Sequence, residues 1–164
     1  MAGDIHDQLN TYLKDAHALE QMSLQMTEAA AKATDDPQLQ ALFTHHHEET
    51  EEHERLIRER LEARGESPSK MKEIGGRVAA MGKGVGAMSP SDTPARLARD
   101  GYVQEHTEVA AYELLCRVAE RAGDTETATV ARRILENERQ TAEKIAATWD
   151  HATDLALQAA GVTA

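Results

Sequence analysis

The chain has 164 residues, enough for one domain with a real core, and a formal net charge of −11. That balance excludes the clustered Lys and Arg that displace counterions from nucleic acid, and it disfavours an anionic membrane surface. Hydrophobic residues make up 40% and aromatics only 3%; the Ala, Glu, Leu, Arg and Gln that dominate are helix formers, which predicts an all-α fold.

The first helix is predicted from Asp4 to Ala33, with Leu9, Leu13, Ala16 or His17, Glu20 and Leu24 on one face. Asp36 caps the second, and Pro37 suits its first turn. Its stripe reads Leu39, Leu42, His46, Glu49, His53 and Leu56, apolar at both ends and polar in the middle, and it ends near Gly65. Ser67-Pro68 opens a weaker segment over Lys70 to Met88, loosened by Gly75, Gly76, Gly82, Gly84 and Gly86 but apolar through Met71, Val78, Met81, Val85 and Met88. Thr93-Pro94 begins the third long helix, with Ala98, Tyr102, Glu105, Glu108, Tyr112, Leu115 and Ala119 on one face. Gly123 stops it, and Asp124 caps the fourth, with Ala131, Leu135, Glu138, Ala142, Ile145 and Trp149. The tail stays helix-compatible to Ala160. The expected organisation is a single domain over 1–164: a helical hairpin (4–65), a short helical crossover (66–92) and a second hairpin (93–160). Two hairpins joined by a long crossover make a ferritin-like antiparallel four-helix bundle, as against an up-down bundle with short loops.

Glu20 and Glu49 lie 29 residues apart, and Glu108 and Glu138 lie 30 apart, each pair straddling a turn signal. A hairpin duplicated in this way puts one carboxylate on each of four helices. Burying four ionised carboxylates together is untenable without cations, because each costs several kcal/mol, so two divalent metal ions are expected. Carboxylate with imidazole suits Fe, Mn or Zn. By repeat symmetry Glu49 and Glu138 are the expected bridging pair, and Glu20 and Glu108 the terminal ligands. Glu105, one turn before Glu108, adds a further carboxylate. His46 and His53 flank Glu49 by one turn each and are candidates to complete a shell; His17, the repeat counterpart of Glu105, is another. His6, His45, His47, His106 and His151 fit the surface, as do Glu48, Glu51, Glu52 and Glu54. Tyr112 reads as a core residue with a hydrogen-bonded hydroxyl, and Cys116 as an inert buried thiol.

No apolar run approaches a membrane span, no leader-like segment is visible, and the lone Cys116 forms no internal disulfide. A cytoplasmic protein is expected.

Leu13-Lys-Asp-Ala-His-Ala-Leu-Glu20, His46-x-x-Glu49-Thr50, Glu105-x-x-Glu108-Val-Ala-Ala-Tyr112 and Ile134-Leu-Glu-Asn-Glu138 occur in an order that resembles the YciE/YciF family of ferritin-like proteins. The resemblance spans residues 5 to 150 and extends to the crossover Met81-Gly-Lys-Gly-Val-Gly-Ala-Met88. It implies a ferritin-like bundle, a homodimer and a link to bacterial stress responses. The Glu-x-x-Glu of the third helix also resembles rubrerythrins, which reduce peroxide at a di-iron centre. Ferritins and rubrerythrins place His three residues after the second-helix Glu, and rubrerythrins repeat this on the fourth; here those positions are Glu52 and Thr141. Without a Cys-x-x-Cys motif, redox turnover would need an external electron donor. The leading expectation is a di-metal, di-iron carboxylate protein that reacts with oxygen or peroxide. The alternatives are a non-catalytic bundle acting as a scaffold, and iron sequestration.

Overall fold

The structure, a computed structural model, describes residues 4–66 and 93–162. Among the described residues there are five helices and no strands: α1 (Ile5–Ala33), α2 (Pro37–Ala63), α3 (Pro94–Arg121), α4 (Thr125–Ala146) and α5 (Trp149–Ala159). Their starts are fixed by local chemistry. Asp4 accepts from the His6 N–H, Asp36 from those of Gln38 and Leu39, and Asp124 from that of Thr127, each satisfying donors that a first turn leaves free. Gly65 and Gly123 follow α2 and α3 at φ +77° and +72°, left-handed backbone that glycine adopts without a Cβ penalty.

The fourth long helix departs from expectation at its end. It breaks at Ala147-Thr148, so Trp149 opens α5 and is 37% exposed, stacking edge-on against Tyr102. The buried Thr148 hydroxyl donates to the Ile145 carbonyl at 2.7 Å, and the Thr148 N–H bonds the same carbonyl. That competition with the helical ladder bends the chain. α5 then packs against α3.

The α1/α2 and α3/α4 hairpins pack face to face, α1 against α3 and α2 against α4. Two apolar clusters define the poles. One joins Leu9 and Leu13 of α1, Ile57 and Leu61 of α2, Leu115 and Ala119 of α3, and Ala131 and Ile134 of α4. The other joins Ala30, Leu39, Phe43, Leu97, Ala98, Ile145 and Ala152. α2 and α3 therefore run parallel, both ending at the first pole, while every packed pair among the four long helices is antiparallel. A parallel α2 and α3 is the connectivity that a crossover serves; the expected crossover itself lies outside the described residues.

The inward face of α2 runs Leu39, Phe43, His46, Thr50, His53, Ile57 and Leu61. Leu42, Glu49 and Leu56, expected inward, are half-buried instead. Spacings of four and three both suit a helix, so an apolar residue at 42 or 43 and at 56 or 57 leaves the phase ambiguous until packing decides. Gly101 leaves room for a side chain reaching across the bundle: a Cβ there would sit 3.1 Å from the Phe43 ring.

Candidate metal centre

Between the two apolar poles lies a polar layer. α1 supplies Glu20 and Ser23, α2 supplies His46, Thr50 and His53, α3 supplies Gln104, Glu105 and Glu108, and α4 supplies Glu138 and Thr141; all are buried. Glu20, Glu108 and Glu138 are fully shielded from solvent.

Six of these side chains form two overlapping groups. His46, Glu105, Glu108 and Glu138 bring one donor atom each within 4.8 Å of one another, and so do Glu20, His53 and Glu138. Glu138 belongs to both. His46 Nε2 approaches Glu105 Oε1 to 2.9 Å, and His53 Nδ1 approaches Glu138 Oε1 to 2.8 Å and Glu20 Oε2 to 3.9 Å. Yet both nitrogens lack hydrogen-bond alignment, as do Glu20 Oε2, Glu105 Oε2, Glu108 Oε1 and both oxygens of Glu138. Orphaned buried polar atoms of this kind cost free energy unless something else satisfies them. The donor atoms face common centres rather than one another, and a mixed carboxylate–imidazole set fits Fe, Mn or Zn.

Neighbouring residues hold the set in place. The Tyr112 hydroxyl donates a short hydrogen bond to Glu20 Oε1, and Ser23 Oγ donates to Glu108 Oε2 at 3.4 Å. Asn137 lies 3.3 Å from His53 Nε2, on the side of the ring facing away from Glu138. Such partners fix ring orientation and tautomer.

Electrostatics follow from the crowding. Burial, then the charge of Glu138, pushes Glu20 and Glu108 well above the carboxylate range. Burial raises Glu105 to about 7 against the opposing pull of His46. Burial alone would discharge His46, but the carboxylates of Glu105 and Glu49 beside its ring, with the charge of Glu138, prevail and raise it to about 10. Burial also works to raise Glu138, yet His53 and His46 hold it below its ordinary value. Without metal, burial and the neighbouring carboxylates favour the protonated forms of Glu20, Glu108 and His46.

The expected residues are distributed unequally. Glu20, His46, His53, Glu105, Glu108 and Glu138 converge. His17 is buried but turns to Glu54, which it bonds at 2.8 Å, outside both groups. Glu49 lies at the rim, its side chain 23% exposed, close to His45, His46, Thr141 and Lys144. It stands one residue from the inward Thr50, about 100° around the helix. Ser23 and Asn137 were not singled out from sequence. A small hydroxyl one turn after Glu20, and an amide beside Glu138 inside a helix, were the signals available.

A family profile described as "Domain of unknown function (DUF892)" matches residues 4–159. Among solved structures, a protein of Xanthomonas campestris pv. campestris superposes with a TM-score of 0.79 at 25% identity, over 97% of this chain and 100% of that one. The Escherichia coli stress protein YciF gives 0.73 at 22% identity, over 93% and 99% of the two chains. A bacterioferritin of Desulfovibrio desulfuricans, described with a diiron site in different catalytic states, gives 0.75 at 21%, over 94% and 87%. The all-helical fold is ferritin-like, as its connectivity predicted.

Proposed function

This chain belongs to the DUF892 family, and on that premise we propose that its polar layer holds two divalent metal ions, iron first among them, in a centre that reacts with oxygen or peroxide. The observation that carries the reading is the set of orphaned, fully buried donor atoms arranged in two groups that share Glu138. His46, Glu105 and Glu108 would hold one ion, Glu20 and His53 the other, and Glu138 would bridge them. In this proposal Glu138 would take the bridging role expected of it from repeat symmetry, and Glu49 would not. The shells would be unequal, one imidazole with three carboxylates against one imidazole with two.

Bound iron would supply one-electron chemistry toward an oxidant. The chain's own residues do the rest. Tyr112 fixes Glu20 through its hydroxyl, Ser23 steadies Glu108, and Asn137 orients His53. The apolar clusters on either side exclude water. Electrons would come from an external donor. Among the described residues no helix is long and apolar enough to cross a membrane, and we read the chain as cytoplasmic. Pairing with a second copy is supported by Val103 and Leu114, 58% and 51% exposed on the outer side of α3. The stress role stated for YciF supports a similar setting for this chain.

Elemental analysis of protein from iron-supplemented cells, purified without chelator, tests the reading. Two metal ions per chain are expected. Glu138→Gln should lose both, and Glu20→Gln only one. Metal-free wild-type protein would leave a non-catalytic scaffold instead. Oxidant consumption by the iron-loaded chain, compared with Glu108→Ala, tests the chemistry: equal rates would dismiss a catalytic centre.

A further inference from the structure

Building on the two-metal reading, we infer that Glu49, with His45 and the Nδ1 atom of His46, forms an outer divalent-cation site through which ions reach the buried centre. Glu49 Oε1 lies 3.3 Å from His45 Nε2, and Glu49 Oε2 lies 3.8 Å from His46 Nδ1. These residues sit at i, i+1 and i+4 of α2, so one helix presents all three. His45 is well exposed, Glu49 half-buried and His46 only 2% exposed, which makes a path from solvent inward along a single turn.

The pointer to a ligand is His46. Its ring is buried, and its Nδ1, which faces Glu49, has no hydrogen-bond partner, while its Nε2 lies 2.9 Å from Glu105 of the inner group. A neutral imidazole has one free lone pair, so His46 serves one side at a time: Nδ1 takes the entering ion while Nε2 keeps its proton toward Glu105. A buried nitrogen left unpartnered is costly, and a cation shared with Glu49 satisfies it. One carboxylate with two imidazoles is the chemistry of Fe(II), Mn(II), Co(II) and Zn(II) rather than of Ca(II) or Mg(II).

Lys144 Nζ lies 3.6 Å from Glu49 Oε1, and Thr141 Oγ1 donates to Glu49 Oε2 at 3.4 Å. The Lys144 side chain is 42% exposed and its stem flexible, so a doubly charged ion displaces the ammonium readily. Glu49 then has two arrangements: paired with Lys144 between ions, and bound to the ion during entry. Partial exposure makes this a site of passage rather than residence, and the net charge of −11 raises the local cation concentration around it.

Stopped-flow mixing of the metal-stripped full chain with Co(II), followed by cobalt counting after desalting, separates entry from residence. Wild type and Glu49→Gln should each retain two cobalt ions per chain, with uptake by Glu49→Gln slowed about tenfold, the lower end of electrostatic steering effects. His45→Gln should slow uptake as well, Lys144→Gln should speed it, and Glu49→Asp should recover part of the rate. Wild-type uptake rates in Glu49→Gln would overturn the entry site. Loss of one retained cobalt in that variant would overturn it too, by making Glu49 a resident ligand. Wild type that retains no cobalt would instead overturn the two-metal reading beneath it.

Discussion

Tyr112 and Glu20 illustrate how single residues prepare the centre. Tyr112 is fully buried, and its hydroxyl is a donor for Glu20 Oε1 from the opposite hairpin. Tyr112→Phe would strand that oxygen, so the metal-free protein should lose about 1–3 kcal/mol in urea unfolding; an unchanged midpoint and slope would show the bond to be idle. Protonation makes a second residue-level prediction. Glu20, Glu108, Glu105 and His46 all bind protons more tightly folded than their ordinary values allow. Groups raised in this way stabilise the fold below their ordinary pKa and stop doing so as pH rises through the folded one. For Glu105 that window runs from 4.5 to about 7, and for His46 from 6.5 to about 10. Glu49, lowered to about 2 chiefly by His46, and Glu138, also lowered, act oppositely and lose their contribution only in acid. The melting temperature of chelator-treated protein should therefore fall from about pH 5 to about pH 10. Divalent metal should flatten that profile, because binding releases the same protons. A metal-free Tm that climbs with pH would contradict the assignment.

At the scale of elements, caps and close approaches decide where each helix starts and how it packs. Asp36 and Asp124 both cap; Asp36 also meets the partly exposed His151 at 3.0 Å, whereas Asp124 meets Arg64 at 2.8 Å and Arg60 at 3.3 Å, tying the α3/α4 turn to the end of α2. Asp36→Ala should cost about 1 kcal/mol, the usual worth of an N-cap. Asp124→Ala should cost more, since it releases two partly buried guanidinium groups where Asp36→Ala releases one partly exposed imidazole; equal midpoints in denaturant would show that the arginine contacts add nothing beyond that of His151. Gly101 is a weak helix former retained within α3 because Phe43 occupies the space beside it. Gly101→Leu should destabilise by about 1–3 kcal/mol through overpacking, read in the same unfolding experiment.

For the whole molecule, two dry poles enclose a layer that contributes poorly to stability. Glu108 is fully buried, with one oxygen unpartnered and the other held by a 3.4 Å bond from Ser23. Replacing it with Leu should raise metal-free stability by about 1–3 kcal/mol, since an unsatisfied polar atom is exchanged for apolar packing, and should abolish metal at that group. Stabilisation gained together with metal lost would mark the layer as retained for chemistry. A destabilised Glu108→Leu would make the layer structural.

Helix order, capping and pole-to-middle polarity were legible in the sequence because they depend on local chemistry and a 3.6-residue period. Asp36-Pro37, Gly123-Asp124 and the Glu20/Glu49 and Glu108/Glu138 spacings sufficed for four helices and a carboxylate layer. Rotational phase was not legible. Phe43, Thr50 and Ile57 compete with Leu42, Glu49 and Leu56 for the inward face, and periodicity scores both sets alike. The packing of α2 against α1 and α4, with the Phe43 ring seated at Gly101, settled the matter, bringing His53 into the layer and leaving Glu49 at its rim. By itself, then, the sequence determined that carboxylates and imidazoles would meet between two apolar ends. Only the tertiary structure decided which of them converge, because a turn of about 100° per residue lets one position of phase separate a buried donor from a solvent-facing one.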